Sequence, residues 1–196
     1  MSNYYKRRMS LAGINLSRHS VDDLRSLVSR ILDAKIHGIC FSPYVEGQGP
    51  GTEITEAQIR ERLEIIAPYV RWVRTFACSE GLEQIPRIAA EMGLKSMVGV
   101  WLDEDRERND EELGAALEVA AAGHADILAV GNEVLLRGEL PQEELIGYIE
   151  RAKAAAAGVP VGYVDAYFLF EDYPQVTEAC DVILANWGCM FGTVRY

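Results

Sequence analysis

The sequence predicts an α/β fold, a (β/α) barrel of the TIM-barrel type, and three observations carry that prediction. Short apolar runs alternate with segments of helical periodicity at intervals of about 25 to 30 residues, the spacing of right-handed βαβ crossovers in a parallel sheet. Polar or aromatic residues close one run after another: Ser42 and Tyr44, Arg74 and Thr75, Trp101 and Asp103, Asn132 and Glu133, then Asp165. In a barrel the loops after every strand meet at one end, whereas a doubly wound sheet gathers such residues only at its switch point. A Gly-x-Gly-x-x-Gly after the first strand is missing, which ranks a dinucleotide fold second.

Taken in order, residues 1–35 read as an N-terminal extension with one helix, and Ala12-Gly13-Ile14-Asn15-Leu16 as a candidate short strand. Ser20 with Asp23 caps the helix, whose apolar stripe is Leu24, Leu27, Val28, Ile31 and Leu32. A strand follows over 36–42, stopped by Pro43 and a glycine-rich loop through Gly51. Thr55 and Gln58 make a capping box for the next helix, with Ile59, Leu63 and Ile66 on its apolar face. Residues 69–76 hold a strand, 82–92 a helix and 94–101 a strand; Asn109, with Glu112 three residues on, is read as opening the helix that runs to Ala122. The strand at 127–132 ends in Gly131-Asn132-Glu133. Pro141 suits a first helical position, Gly158 a helix end, and 159–164 and 181–186 supply two further strands. Six strands result where a closed barrel has eight, so the expected architecture is incomplete: about six of eight βα units, single-domain over 1–196, with open sheet edges.

Composition narrows the function classes. A formal charge of −11 argues against nucleic acid, because the only basic cluster is Lys6-Arg7-Arg8. Cys40, Cys78, Cys180 and Cys189 lack metal-ligand spacing, so free thiols, no metal and no cofactor are expected. With no signal-like core and no apolar run of membrane length, the expectation is a cytoplasmic protein without a membrane partner. His19, His37 and His124 do not cluster, and neither a nucleophile elbow nor a phosphate loop is present.

Four motifs in succession carry a resemblance: Phe41-Ser42-Pro43-Tyr44 with Gly47-Gln48-Gly49-Pro50, Val73-Arg74-Thr75-Phe76, Val98-Gly99-Val100-Trp101-Leu102, and Val130-Gly131-Asn132-Glu133-Val134-Leu135-Leu136-Arg137-Gly138. Together, over residues 36–186, they resemble glycoside hydrolase family 17 and its bacterial relatives, the β-1,3-glucanase and glucan transglycosylase group. The resemblance implies a (β/α)₈ barrel, a β-glucan or oligosaccharide ligand, and Glu133 as general acid/base. The family's nucleophile is a glutamate ending strand seven; no residue here matches it, so impaired catalysis is expected. After Asn186 the sequence Trp187-Gly188-Cys189-Met190 also departs from the family's Tyr-Pro-aromatic stretch.

The residue chemistry fits these roles without requiring them. Cleaving a glycosidic bond takes a protonated carboxyl beside the leaving oxygen and, in retaining enzymes, a second carboxylate about 5 to 5.5 Å away. Glu133 is the candidate acid, and a strand-end carboxylate is equally the start of a solvated loop. Asn132 is either a ligand for a sugar hydroxyl or a loop-stabilising amide. Tyr44 and Trp101 are candidate stacking platforms, ahead of Tyr163, although such rings also serve as core lids. Arg74 holds a hydroxyl or carboxylate, or else a buried ion pair. Asp165 is a partner of Glu133 or a turn former. The rival class is a non-catalytic carbohydrate-binding or assembly module that self-associates through open sheet edges; an aldolase- or isomerase-like barrel is weaker, with no lysine ending a strand.

Overall fold

The computed structural model describes residues 16–156 and 158–186. The candidate strand at 12–16 lies outside these residues except Leu16, which enters a 3₁₀ turn, Leu16–Arg18. The described elements are α1 (Val21–Asp33), β1 (Ile36–Cys40), α2 (Glu56–Ile66), β2 (Val70–Arg74), α3 (Ile85–Glu91), β3 (Lys95–Val100), α4 (Arg106–Ala121), β4 (Ile127–Asn132), the single-turn α5 (Val134–Arg137), α6 (Gln142–Ala155), β5 (Val161–Ala166), the short α7 (Leu169–Asp172) and α8 (Pro174–Ala179), and β6 (Val182–Asn186). The six strands form one parallel sheet in sequential order, β1-β2-β3-β4-β5-β6. It is an incomplete (β/α) barrel, as the alternation predicts.

Two apolar clusters stiffen the barrel wall. One joins Val70 and Val73 of β2 to Ile59 and Leu63 of α2 and to Ile85 and Ile88 of α3. The other joins Val98, Leu128, Val130, Val161 and Tyr163 of β3 to β5 with Leu113, Leu145 and Ile149 of the covering helices. At about 25 cal/mol per Å² of buried apolar surface, these contacts drive the layering and hold the strand ends in place. Gly99 is required inside β3, because a Cβ there would stand 2.4 Å from the Thr75 carbonyl oxygen.

Helix starts show where local signals hold and where packing overrides them. Ser20 and Asp23 form the complete capping box. Thr55 accepts the Gln58 N–H, but the Gln58 side chain turns away to the Pro43 carbonyl and Gln48, so the second half of that box is replaced by a loop tether. Asn109 is not an N-cap: Asp105 caps α4 by accepting the Arg108 N–H, and Asn109 lies buried within the helix. Its amide instead donates to the Asp103 carbonyl and accepts the Asp103 N–H, closing the loop after β3. Pro141 sits one position before its predicted place, at the N-cap of α6. Residues 82–92 divide into a 3₁₀ turn, Leu82–Gln84, and α3, with Pro86 in the first turn.

Candidate active site at the carboxyl ends of the strands

The end of β4 is shaped by its backbone. Ala129 pairs with Gly162 and Asn132 with Val164, so three steps along β4 match two along β5. The extra residue makes a bulge, a device that re-aims side chains at strand ends. Gly131 takes φ 85° there, with the Tyr163 ring 3.2 Å from where a Cβ would stand, so only glycine fits without displacement. Glu133 follows in the left-handed region at φ 57°, an uncommon conformation for a side-chain-bearing residue. Its N–H donates to the Val164 carbonyl at 2.8 Å and its carbonyl accepts the Arg137 N–H, which fixes the turn from both sides.

Three strand ends converge on the pair Asn132–Glu133. Arg74, closing β2, donates from Nη2 to Asn132 Oδ1 at 2.5 Å and lies 4.7 Å from the Phe76 ring centroid. This is a bond to a neutral amide, and it determines which end of that amide faces outward. Asn186, closing β6, donates from Nδ2 to Glu133 Oε1 at 2.8 Å. Asp165, the last residue but one of β5, is fully buried: Oδ2 accepts the Tyr163 hydroxyl and the Leu136 N–H, and Oδ1 accepts the Ala166 N–H at 2.7 Å. Its carboxyl is held above the ordinary value, chiefly by burial, against those three hydrogen bonds and with a further upward push from the Glu133 charge. As placed, Asp165 supports the strand end from beneath and offers no exposed oxygen to a sugar. Tyr163 is likewise buried, and desolvation and Asp165 keep its phenol protonated.

Tyr44 and Trp101 meet elsewhere, in a cavity of about 290 Å³ at the ends of β1 to β3. Phe41, Pro43, Phe76 and Leu82 add apolar walls, and Ser79, Glu80 and Arg108 a polar margin. Burial raises the Tyr44 phenol, with Glu80 and Glu112 adding to the effect and Arg108 opposing it, so the hydroxyl stays a hydrogen-bond donor. Flat apolar walls with a few polar groups suit the face and rim of a pyranose ring. The predicted residues therefore form two connected groups: Arg74, Asn132 and Glu133 around the carboxylate, and Tyr44 with Trp101 in the adjoining cavity. Among the described residues no cluster of three or more His, Cys, Asp or Glu side chains is arranged to hold a metal ion, and no helix is long and apolar enough to cross a membrane.

Sequence reasoning passed over Asn186 and Arg137. The same strand-end rule that selected Asn132 applies to Asn186, the last residue of β6, and was the signal available for it. Arg137 lay inside the fourth motif without a role.

The chain is a half-closed (β/α) barrel wall that presents a carboxylate, two amides, an arginine and a ring-lined cavity at its strand ends. The family follows directly: residues 38–194 match the model of the BtgE/BtgC glycoside hydrolase domain, and the chain belongs to that family. The chain is 28% identical over 192 residues to a glucan 1,3-beta-glucosidase of Schizosaccharomyces pombe, covering 90% of this chain and 60% of that protein. To a protein of the same description from Arthroderma benhamiae it is 26% identical over 123 residues, 60% of this chain and 39% of the relative. Among solved structures it is similar to the glycoside hydrolase family 17 beta-1,3-glucanosyltransferase of Rhizomucor miehei and to an active-site mutant of that enzyme in complex with laminaritriose. Each superposes with a TM-score of 0.65 at 27% identity, over 79% of this chain and 57% of the neighbour. The family 17 resemblance carried by the four motifs is thereby established, and the chain spans no more than about 60% of the length of these relatives.

Proposed function

We propose that this chain binds β-1,3-glucan and that Glu133 is the acid/base of a retaining hydrolase or glucanosyltransferase site. The observation that carries the reading is the Asn132–Glu133 pair on the bulged end of β4, held by Arg74 on one side and Asn186 on the other. In the two-carboxylate route, the acid gives its proton to the glycosidic oxygen as the bond to the sugar breaks. It then takes a proton from the incoming water or sugar hydroxyl. Asn132 stands beside the acid with its oxygen occupied by Arg74, so its NH₂ group is the end available to a sugar hydroxyl. Such a bond strengthens as charge develops on the ring.

The described sheet has six strands, and the family's nucleophile closes a seventh. We therefore expect the chain by itself to bind laminari-oligosaccharides with little or no turnover. Calorimetric titration with laminaritriose, alongside product release from laminarin for the wild type and Glu133→Gln, tests both parts. Binding supports the ligand, and residual turnover that is lost in Glu133→Gln supports the role of Glu133. Turnover untouched by that substitution sinks the role of Glu133, and failure to bind laminaritriose sinks the ligand.

A second reading, a non-catalytic module that self-associates, draws on uncovered apolar surface at the margins: Val21, Val28 and Ile31 on α1 and Ile183 on β6 are 63%, 53%, 49% and 46% exposed. Unpaired edges and bare apolar stripes are normally covered by pairing. Light scattering on a sizing column separates the readings: a defined dimer favours association through these margins, and a monomer at all concentrations removes it.

A further inference from the structure

Trp101 is gripped from two sides by charged groups for which glycosidic chemistry has no direct use. Arg137, the last residue of α5, places its guanidinium 4.5 Å from the centroid of the Trp101 ring. Its Nη1 donates to the Asn132 carbonyl, and its Nη2 to the Leu102 carbonyl at 3.0 Å and to the Glu139 carboxylate. One side chain thus ties the strand end that bears Asn132 and Glu133 to the loop that bears Trp101. From the α4 side, Glu112, 1% exposed, accepts the Trp101 N–H at 3.2 Å and the Cys78 N–H at 2.7 Å on a single oxygen, Oε2. The backbone of Trp101 is anchored by one ion and its ring by another.

The chemistry of a guanidinium suits this task. Its rigid planar fork bridges two carbonyls while its flat face stays free to stack on an indole, which a lysine ammonium cannot reproduce. Glu139 pairs with that charge, and both side chains are largely withdrawn from solvent. The charge of Arg137 is thus answered beside the ring by Glu139, which suits a platform that meets an uncharged sugar. A ring already immobilised loses less freedom when a ligand stacks on it.

We propose that Arg137 is a positioning residue for carbohydrate recognition: it covers one face of Trp101, leaves the other for a pyranose ring, and fixes that platform in register with Glu133. The proposal rests on the glucan reading for its ligand, and its first test is independent of any ligand. In the unliganded full chain, the Trp101 indole N–H resonance, assigned with Trp101→Phe, is compared among wild type, Arg137→Met and Arg137→Lys. Arg137→Met is expected to move and broaden that resonance and to weaken laminaritriose binding about tenfold. Arg137→Lys falls between, because it keeps the charge and loses the fork. An indole resonance in folded Arg137→Met that coincides with the wild type overturns the proposal. If Arg137→Met does not fold, Glu139→Gln takes its place: a shifted Trp101 resonance supports the clamp and an unmoved one overturns it. A shift in the indole with no laminaritriose binding by the wild type upholds the clamp and rejects the glucan reading, so the two failures are told apart.

Discussion

The middle of the sheet and its margins are made of similar strands in different surroundings. β5 is buried at all six positions and β4 at four of its six, while β1 and β6 have no fully buried residue. The helices repeat the contrast: α6 buries Leu145, Tyr148, Ile149 and Ala152, and α1, with its regular apolar stripe, buries none. A parallel strand is sheltered when it has neighbours on both sides and helices across its face. The central strands meet both conditions, and among the described residues the marginal ones have one neighbour each. Glu133 stands at the end of the better-held half, where its left-handed backbone is bonded to β5 and α5. Backbone strain of this kind costs on the order of 1–3 kcal/mol and persists only where the surroundings over-determine it. The contrast therefore explains why the carboxylate lies on β4 and the uncovered apolar surface on α1.

The largest expected effect probes that contrast directly. Ile149→Ala, at a position with no exposure, should lower the unfolding free energy by about 3 kcal/mol, the lost transfer energy plus the cavity. Val28→Asn on α1, 53% exposed, should change it by less than about 0.5 kcal/mol. Urea midpoints of the two variants, measured at equal protein concentration, give the comparison. A loss at Val28 approaching that at Ile149 would mean that α1 is covered in solution, and the margins would then be an interface.

Much of this architecture was legible because buried strands and amphipathic helices have different periods. The alternation gave all six described strands, and Ser20 gave the start of α1. Asn109 misled because an amide followed by an acid three residues later imitates a cap, whereas its partners are set by the loop after β3. The stripe on α1 announced an amphipathic helix, but periodicity carries no information about what covers it. At the site, Asn132 and Glu133 were visible as strand-end polar residues. The bond from Asn186 to Glu133 joins residues 53 positions apart and exists only once β6 lies beside β5. The burial of Asp165 was equally invisible, since β5 is buried at all six positions and its sequence does not say that both of its faces are covered.

A smaller effect divides the centre from the margin by the sign of its pH dependence. Asp165 has its folded-state pKa raised above 3.8, first by burial and also by the Glu133 charge. The folded state then holds this proton more tightly than the unfolded state, so its contribution to stability is full below 3.8 and is lost as pH rises through the raised value. Asp181, just before β6, has its pKa lowered, first by the hydrogen bond from Lys153, at 2.8 Å, and then by the Val161 N–H. Its contribution is present above 3.8 and is lost as pH falls through the lowered value. Asp181→Asn should therefore flatten the stability profile on the acid side of 3.8, and Asp165→Asn on the side above it, whatever each substitution does to the absolute midpoint. Glu133→Gln should reduce the second slope while leaving the first alone, because the Glu133 charge acts on Asp165 and is absent from the causes acting on Asp181. Thermal midpoints of the three variants and the wild type across that range check the assignment. A Glu133→Gln profile parallel to the wild type above 3.8 would remove the electrostatic link between Glu133 and the buried carboxyl of Asp165, and leave burial as the sole upward cause.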